Sequence, residues 1–145
     1  MEPKLFVATK AFIVHQGKVL LLRESSQYAD GANAGRYDVP GGRIKPGQHF
    51  QESLLREIAE ETGLAVKVDK PFFMNEWRPV VKGEQWQIVG TFLLVHAEHP
   101  AVQLSADHDH SVWIEPKEYK DYNLIPNLVP AFEAFLHHSD FLFRT

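Results

Sequence analysis

Three glutamates, Glu57, Glu60 and Glu61, crowd into one stretch of this chain, the segment GRIKPGQHFQESLLREIAEETGL from Gly42 to Leu64. At roughly 100° of turn per residue they share about a quarter to a third of a helix circumference. Carboxylates at that spacing repel one another by roughly a few tenths of a kcal/mol per pair, and more where water is partly excluded. A hard divalent cation offsets the repulsion, and Mg2+ and Mn2+ both prefer oxygen ligands. Such a cation acidifies a coordinated water and polarises a phosphoryl oxygen, while a neighbouring glutamate can accept the water's proton. The triplet therefore points to metal-assisted chemistry on a phosphate. The alternative for three glutamates taken alone is a solvated acidic helix face.

The elements around the triplet favour the first reading. A helix is expected from about Phe50 to Thr62, with Leu54, Leu55 and Ile58 as its core-facing stripe. Gly63 fits the position just past its end. The acidic arc borders the apolar stripe instead of opposing it, and Arg56 is the one cation between Gln51 and Gly63. Pro40-Gly41-Gly42 reads as a turn, and Gly41 and Gly42 let the backbone approach a ligand closely. Pro46-Gly47 reads as a second turn. Gly42 and Gly47 have the spacing of the glycines in a phosphate-binding P-loop, but Gln48 and His49 stand where that motif needs a lysine and a hydroxyl residue.

Upstream, Leu5 to Val14 and Val19 to Leu22 read as a strand hairpin about His15-Gln16-Gly17-Lys18. Ser25 to Gly35 is a polar loop, and Arg36 to Val39 is a short extended piece. Downstream, Ala65 to Val68, Phe72 to Val81 and Gln85 to His96 read as strands, the last two split by Lys82-Gly83-Glu84. Asp107 to His110 is expected to be a charged loop before a short strand, Val112 to Ile114. Pro116 opens a helical turn through Tyr119. Asn127 is placed to cap a last helix that runs to His138, with Pro130 in its first turn. Strands, a helix, strands and then helices suggest an α/β fold with a mixed sheet and helices on its faces.

The chain has 145 residues, which fits one domain spanning 1–145 with one core. Apolar content of 44% and charged content of 23% are ordinary for a globular protein. A formal charge of −4 argues against a nucleic-acid polymer as partner and leaves a small nucleotide open. With no cysteine, disulfides, zinc–thiolate sites and thiol nucleophiles are excluded. No apolar run approaches a membrane span, and the first residues, MEPKLFVATK, do not read as a secretory signal. A cytoplasmic location is expected.

Read as a pattern, G-x5-Q-x7-R-E-I-x-E-E-x-G-L resembles the signature box of the Nudix (MutT-like) hydrolases, G-x5-E-x7-R-E-U-x-E-E-x-G-U, where U is a bulky aliphatic residue. Gly42, Arg56, Glu57, Ile58, Glu60, Glu61, Gly63 and Leu64 match. The lead-in from Gly35 to Gly42 is similar to the family's G-x-W-x-L-P-G-G, with Tyr37 in place of Trp. The resemblance implies an α/β/α sandwich that cleaves nucleoside diphosphates linked to another group, using Mg2+ or Mn2+. It makes Glu57, Glu60 and Glu61 the metal carboxylates, the Gly41 carbonyl a further ligand and Glu57 a candidate proton acceptor. Arg56 would hold the glutamates by charge-assisted hydrogen bonds. Gln48 departs from the box glutamate. It brings no charge and cannot act as a base, so reduced metal affinity with retained activity is expected.

The same resemblance nominates Asp107 and Asp109 as an extra base or metal ligand. Arg23, at the end of the second strand, is either a phosphate ligand or an ordinary strand-end charge. Arg43, just after the glycine turn, either meets the diphosphate beside Gly42 or is a solvated turn residue. His108 and His110 either bind a transition metal or, as is commoner for histidines in an exposed loop, are solvated. Of Phe72, Phe73, Trp77 and Trp86, most are expected in the core, with Trp77 a candidate for the pocket wall and for stacking on a base. Asn123 and Asn127 either read a base edge or serve as cap and turn residues. The leading function is a pyrophosphohydrolase that converts a nucleoside triphosphate to monophosphate and pyrophosphate. The alternatives are a catalytically weak nucleotide sensor, or an enzyme for nucleotide sugars, ADP-ribose or dinucleoside polyphosphates. The family also allows a homodimer.

Overall fold

A computed structural model describes residues 2–27 and 33–138. Of the loop expected over 25–35, residues 28–32 lie outside the described residues.

The long strand β1 (Lys4–His15) is the axis of a mixed sheet. It turns through Gln16 and Gly17, both at positive φ (51° and 79°), into β2 (Lys18–Glu24). That backbone hand suits a tight hairpin, and Val14 pairs with Val19 across it. Beyond β2 lie β3 (Tyr37–Asp38) and β8 (His108–Ile114), both antiparallel to it. On its other side β1 runs parallel to β7 (Glu84–Ala97), in register from Lys4 opposite Trp86 to Val14 opposite His96. The strand β5 (Val66–Trp77) forms the far edge against β7. Two short strands, β4 (Gly41–Arg43) and β6 (Val80–Val81), add to β1 and β7 respectively.

Both faces of the sheet are covered, so β1 is apolar on both. Ala11 and Ile13 join Leu20, Leu22, Leu93 and Val95 beneath Leu54 and Ile58 of helix α1 (Phe50–Thr62). Phe12 and Val14 point the other way, to Leu128, Phe132 and Phe135 of helix α2 (Leu128–His137). This is the expected layering of helix, sheet and helix. Each fully buried Leu or Phe contributes roughly 1.5–3 kcal/mol by leaving water. Helix α1 starts and stops where its sequence places it. Gly63 is left-handed at φ 70° and donates its N–H to Ala59, closing the last turn.

Several local expectations change. Leu55 is exposed, because the apolar arc that meets the sheet is only wide enough for Leu54 and Ile58. Gly41 to Arg43 is strand where a turn was expected, since Lys10, Thr9 and Ala8 offer an unpaired stretch of β1 opposite. The expected strand over 65–68 and the start of that over 72–81 merge into β5, whose register slips on either side of Pro71, while Val80–Val81 form the separate β6. Proline has no N–H for the ladder, and an edge strand tolerates the loss. Strand β8 begins at His108, within the expected charged loop, because Ser111 and the residues on either side of it pair with β2. A 3-10 helix over Pro116–Asp121 extends the expected helical turn. Asn127 precedes α2 without a capping hydrogen bond from its side chain.

Candidate functional site

The glutamates of α1 meet the glycine strand β4 under one end of the sheet. A methyl group at Gly41, whose φ is 147°, would fall 2.2 Å from the Thr9 carbonyl oxygen. Only glycine lets β4 lie this close to β1. At Gly42 a methyl group would fall 3.2 Å from the Glu57 carboxyl carbon, so the bare backbone lies on that carboxylate. The Gly41 N–H points to Glu61 Oε1 at 3.4 Å. Arg56 reaches Glu57 Oε1 at 3.5 Å and Glu60 Oε1 at 3.4 Å.

A cleft of about 610 Å³ opens over these groups. Glu57, Glu60 and Glu61 line it with Gly41, Gly42, Asp107 and His108. Glu61 is the deepest of the three, its side chain 13% exposed. Burial raises its carboxyl to about 8; the Glu57 and Asp38 charges add to the rise, while Lys10 and the Gly41 N–H oppose it. A carboxyl in that condition binds a proton at neutral pH unless a stronger positive charge takes the proton's place.

Among the described residues, no three His, Asp or Glu side chains already converge on one point as a finished metal cage. Glu57 and Glu60 lean on Arg56. The donors themselves are carboxylates, backbone oxygens and one imidazole on a rigid helix and strand, a set that suits Mg2+ or Mn2+.

Strand β8 decides the fate of the acidic loop. Glu24 pairs with His108 and Arg23 with His110, which leaves Asp109 as the unpaired residue of a bulge. Asp109 turns to Arg23, whose Nε lies 2.7 Å from Asp109 Oδ1. Neither residue lines the carboxylate cleft, so the structure brings Asp107 to the glutamates and leaves Asp109 and Arg23 paired beside it. His108, expected in solvent, is instead largely buried, with Nε2 3.9 Å from Glu61 Oε2. Burial lowers its pKa, although Asp38 and Asp107 pull the other way. Gln48 also lies outside the cleft. Its Oε1 accepts the Lys45 N–H at 3.0 Å and closes the turn before α1.

A second cleft of about 780 Å³ adjoins the first. Trp77, Trp86, Ile125, Pro126 and Asn127 contribute to its walls. The Trp77 ring lies over Gly90, where a methyl group would come within 2.3 Å of it. Phe72 and Phe73 pack into the core as expected, against Phe12 and Phe92. Trp86 does not. It packs against Phe6 with the rings tilted at 55° and their centroids 4.5 Å apart, and the Arg43 guanidinium lies against both, 4.6 Å from the Trp86 centroid and 4.4 Å from that of Phe6. Asn123 donates to the Gly35 carbonyl at 3.4 Å, a turn role.

The two clefts share Lys10, Glu24, Asp38, Gly42 and Arg43 as common walls. Sequence reasoning missed Lys10, Glu24 and Asp38. Lys10 is 8% exposed, and its ammonium lies 2.8 Å from Asp38 Oδ2. A lysine inside the apolar run of β1 was the available signal, since charge in a strand covered on both faces needs a built partner.

The family model described as NUDIX domain matches residues 4–135. A CTP pyrophosphohydrolase of Escherichia coli (strain K12) is 28% identical over 137 residues, covering 92% of this chain and 93% of the relative. The nucleoside triphosphatase NudI of the same strain is 28% identical over 102 residues, covering 65% of this chain and 72% of the relative. The crystal structure of a MutT protein from Methanosarcina mazei Go1 superposes with a TM-score of 0.83 over 96% of this chain and 98% of that one. At 23% identity, that likeness is one of fold.

Proposed function

This chain belongs to the NUDIX family of phosphoanhydride hydrolases, and from that premise we propose that its substrate is a nucleoside triphosphate, hydrolysed to the monophosphate and pyrophosphate. The observation that carries the proposal is the pair of adjoining clefts. One is walled by carboxylates and the other by two tryptophans, and they meet along Lys10, Glu24, Asp38, Gly42 and Arg43. A nucleotide has the same division, an aromatic base at one end and a polyphosphate at the other. Two relatives named for nucleoside triphosphates support the choice.

Glu57, Glu60 and Glu61, with the Gly41 carbonyl, would hold Mg2+ or Mn2+, which supplies charge neutralisation at phosphoryl oxygens and acidifies water. Glu57 lies against the Gly42 backbone and accepts the proton of the attacking water. Arg56 fixes the directions of Glu57 and Glu60. Arg43, packed against the Phe6 and Trp86 rings and lining both clefts, is placed to meet the phosphates with part of its side-chain freedom already lost, which lowers the entropy cost of binding. Trp77 offers a face on which a base can stack, and Asn127 stands at the same wall. A nucleotide sensor has no need of this set, and Gln48, the uncharged departure from the box, serves the turn.

The test is a product assay with Mg2+ or Mn2+ across nucleoside triphosphates, oxidised triphosphates, ADP-ribose, nucleotide sugars and dinucleoside polyphosphates. Separation of monophosphate and pyrophosphate from a triphosphate is the expected result. Turnover confined to the last three classes, or binding without turnover throughout, would overturn it.

A further inference from the structure

The one lysine buried in β1 occupies an unusual place. Lys10 lies where the carboxylate cleft and the tryptophan cleft meet, and lines both. Its side chain is 11% exposed, in a region walled by Glu24, Asp38 and Glu61. An ammonium has three N–H donors. Among the described residues Lys10 makes one hydrogen bond, to Asp38 Oδ2 at 2.8 Å. Burying a cation is costly unless its donors are used. Asp38 uses one, and it also fixes where the others stand. Its second oxygen is held by the Val39 N–H at 2.7 Å, so the carboxylate itself is anchored.

We propose that Lys10 binds the phosphate next to the ribose, as the contact that joins the nucleoside cleft to the carboxylate cleft. The proposal rests on the nucleotide reading above and adds to it a residue outside the signature segment. A nucleotide laid across both clefts carries that phosphate past their common wall. The remaining Lys10 donors then find phosphoryl oxygens, and Asp38 is the positioning residue that keeps the ammonium in place. Pyrophosphate lacks the nucleoside that draws a phosphate to the common wall, and is free to seat both its phosphates beside Glu57 and Glu60 at the far side of the carboxylate cleft, so its binding does not depend on Lys10.

The experiment measures binding, free of turnover, by calorimetry in the presence of Mg2+. The probes are pyrophosphate and whichever of AMP, CMP, GMP and UMP the wild-type protein binds best. Lys10→Met removes the charge while keeping most of the length. It is expected to weaken monophosphate binding by about tenfold or more, the scale of a lost charged hydrogen bond. Pyrophosphate binding should stay within about twofold by the same argument. Lys10→Arg should recover part of the loss. Asp38→Asn, which frees the ammonium from its anchor, should weaken the monophosphate selectively as well and serves if Lys10→Met does not fold. Equal weakening of both probes, no weakening of either, or no monophosphate binding by the wild type overturns the assignment. Failure of the nucleotide reading is seen separately, as absence of triphosphate turnover by the wild type.

Discussion

Glu61→Gln should stabilise the metal-free protein while removing a ligand of the proposed metal site. The structure gives the size of the effect. Burial raises the Glu61 carboxyl from its ordinary 4.5 to about 8. At about 1.4 kcal/mol per pH unit, that amounts to roughly 4 to 5 kcal/mol between the two protonation states. The folded chain keeps this proton where the unfolded chain has lost it, so the stabilising contribution is full below 4.5 and is lost as pH rises through about 8. Most of it, roughly 3 kcal/mol, is already gone at pH 7, and about 1 kcal/mol more goes by pH 9. Glutamine carries no such charge. Glu61→Gln should therefore exceed the wild type by roughly 3 kcal/mol at pH 7, with the gap widening at pH 9. His108 has the opposite sign. Burial lowers its pKa below 6.5, so its contribution falls as the solution becomes acidic, and the range from pH 7 to 9 isolates Glu61. The assay is urea denaturation in EDTA at both values. Added Mg2+ should then stabilise the wild type, with release of protons, and leave the variant nearly unchanged. A variant no more stable than the wild type at pH 9, or a gap indifferent to pH, would refute the claim that a buried carboxyl awaits a cation here.

The other glutamates, the turn and the glycines give further expectations. Glu57→Gln should lower kcat by about a hundredfold or more, as expected for loss of a general base, with little change in thermal midpoint. A thermal shift without loss of turnover would point instead to a structural acidic helix. Gln48→Glu keeps the acceptor for the Lys45 N–H and lies outside the cleft, so the Mg2+ concentration for half-maximal activity should stay within about threefold, the scale of a remote charge in high dielectric. A tenfold drop would restore the view that this position tunes the metal. Gly41→Ala drives a methyl group into the Thr9 carbonyl at a positive φ and should cost about 2 kcal/mol or more in urea denaturation. Gly90→Ala forces the Trp77 ring aside; KM for the nucleotide should rise several-fold while pyrophosphate inhibition is unchanged.

The helix and its carboxylates were legible because their signals are local. Leu54 and Ile58 at helical spacing, Gly63 at the stop and the glutamates between them need no distant partner to be read. The hairpin at Gln16-Gly17 is local too. The bulge at Asp109 was not legible, since it depends on how β8 registers against β2. That register turns Asp109 to Arg23 and His108 toward Glu61, contacts that the order of residues in the loop does not reveal. Trp86 resembled a core aromatic until β1 and β7 placed it opposite Lys4 and beside Phe6. Lys10 and Asp38 are 28 residues apart and become partners only when β3 joins the sheet.

The sequence by itself determined that an acidic helix follows the turn at Pro46-Gly47, because helix periodicity and glycine's freedom act over a few residues. What the carboxylates face was decided only by the tertiary structure. Depth in the cleft raises Glu61, a parallel pairing of β1 with β7 brings the tryptophans alongside, and Lys10 gains its place between the two clefts. Burial and electrostatic coupling depend on distances through space, which neighbours along the chain do not fix.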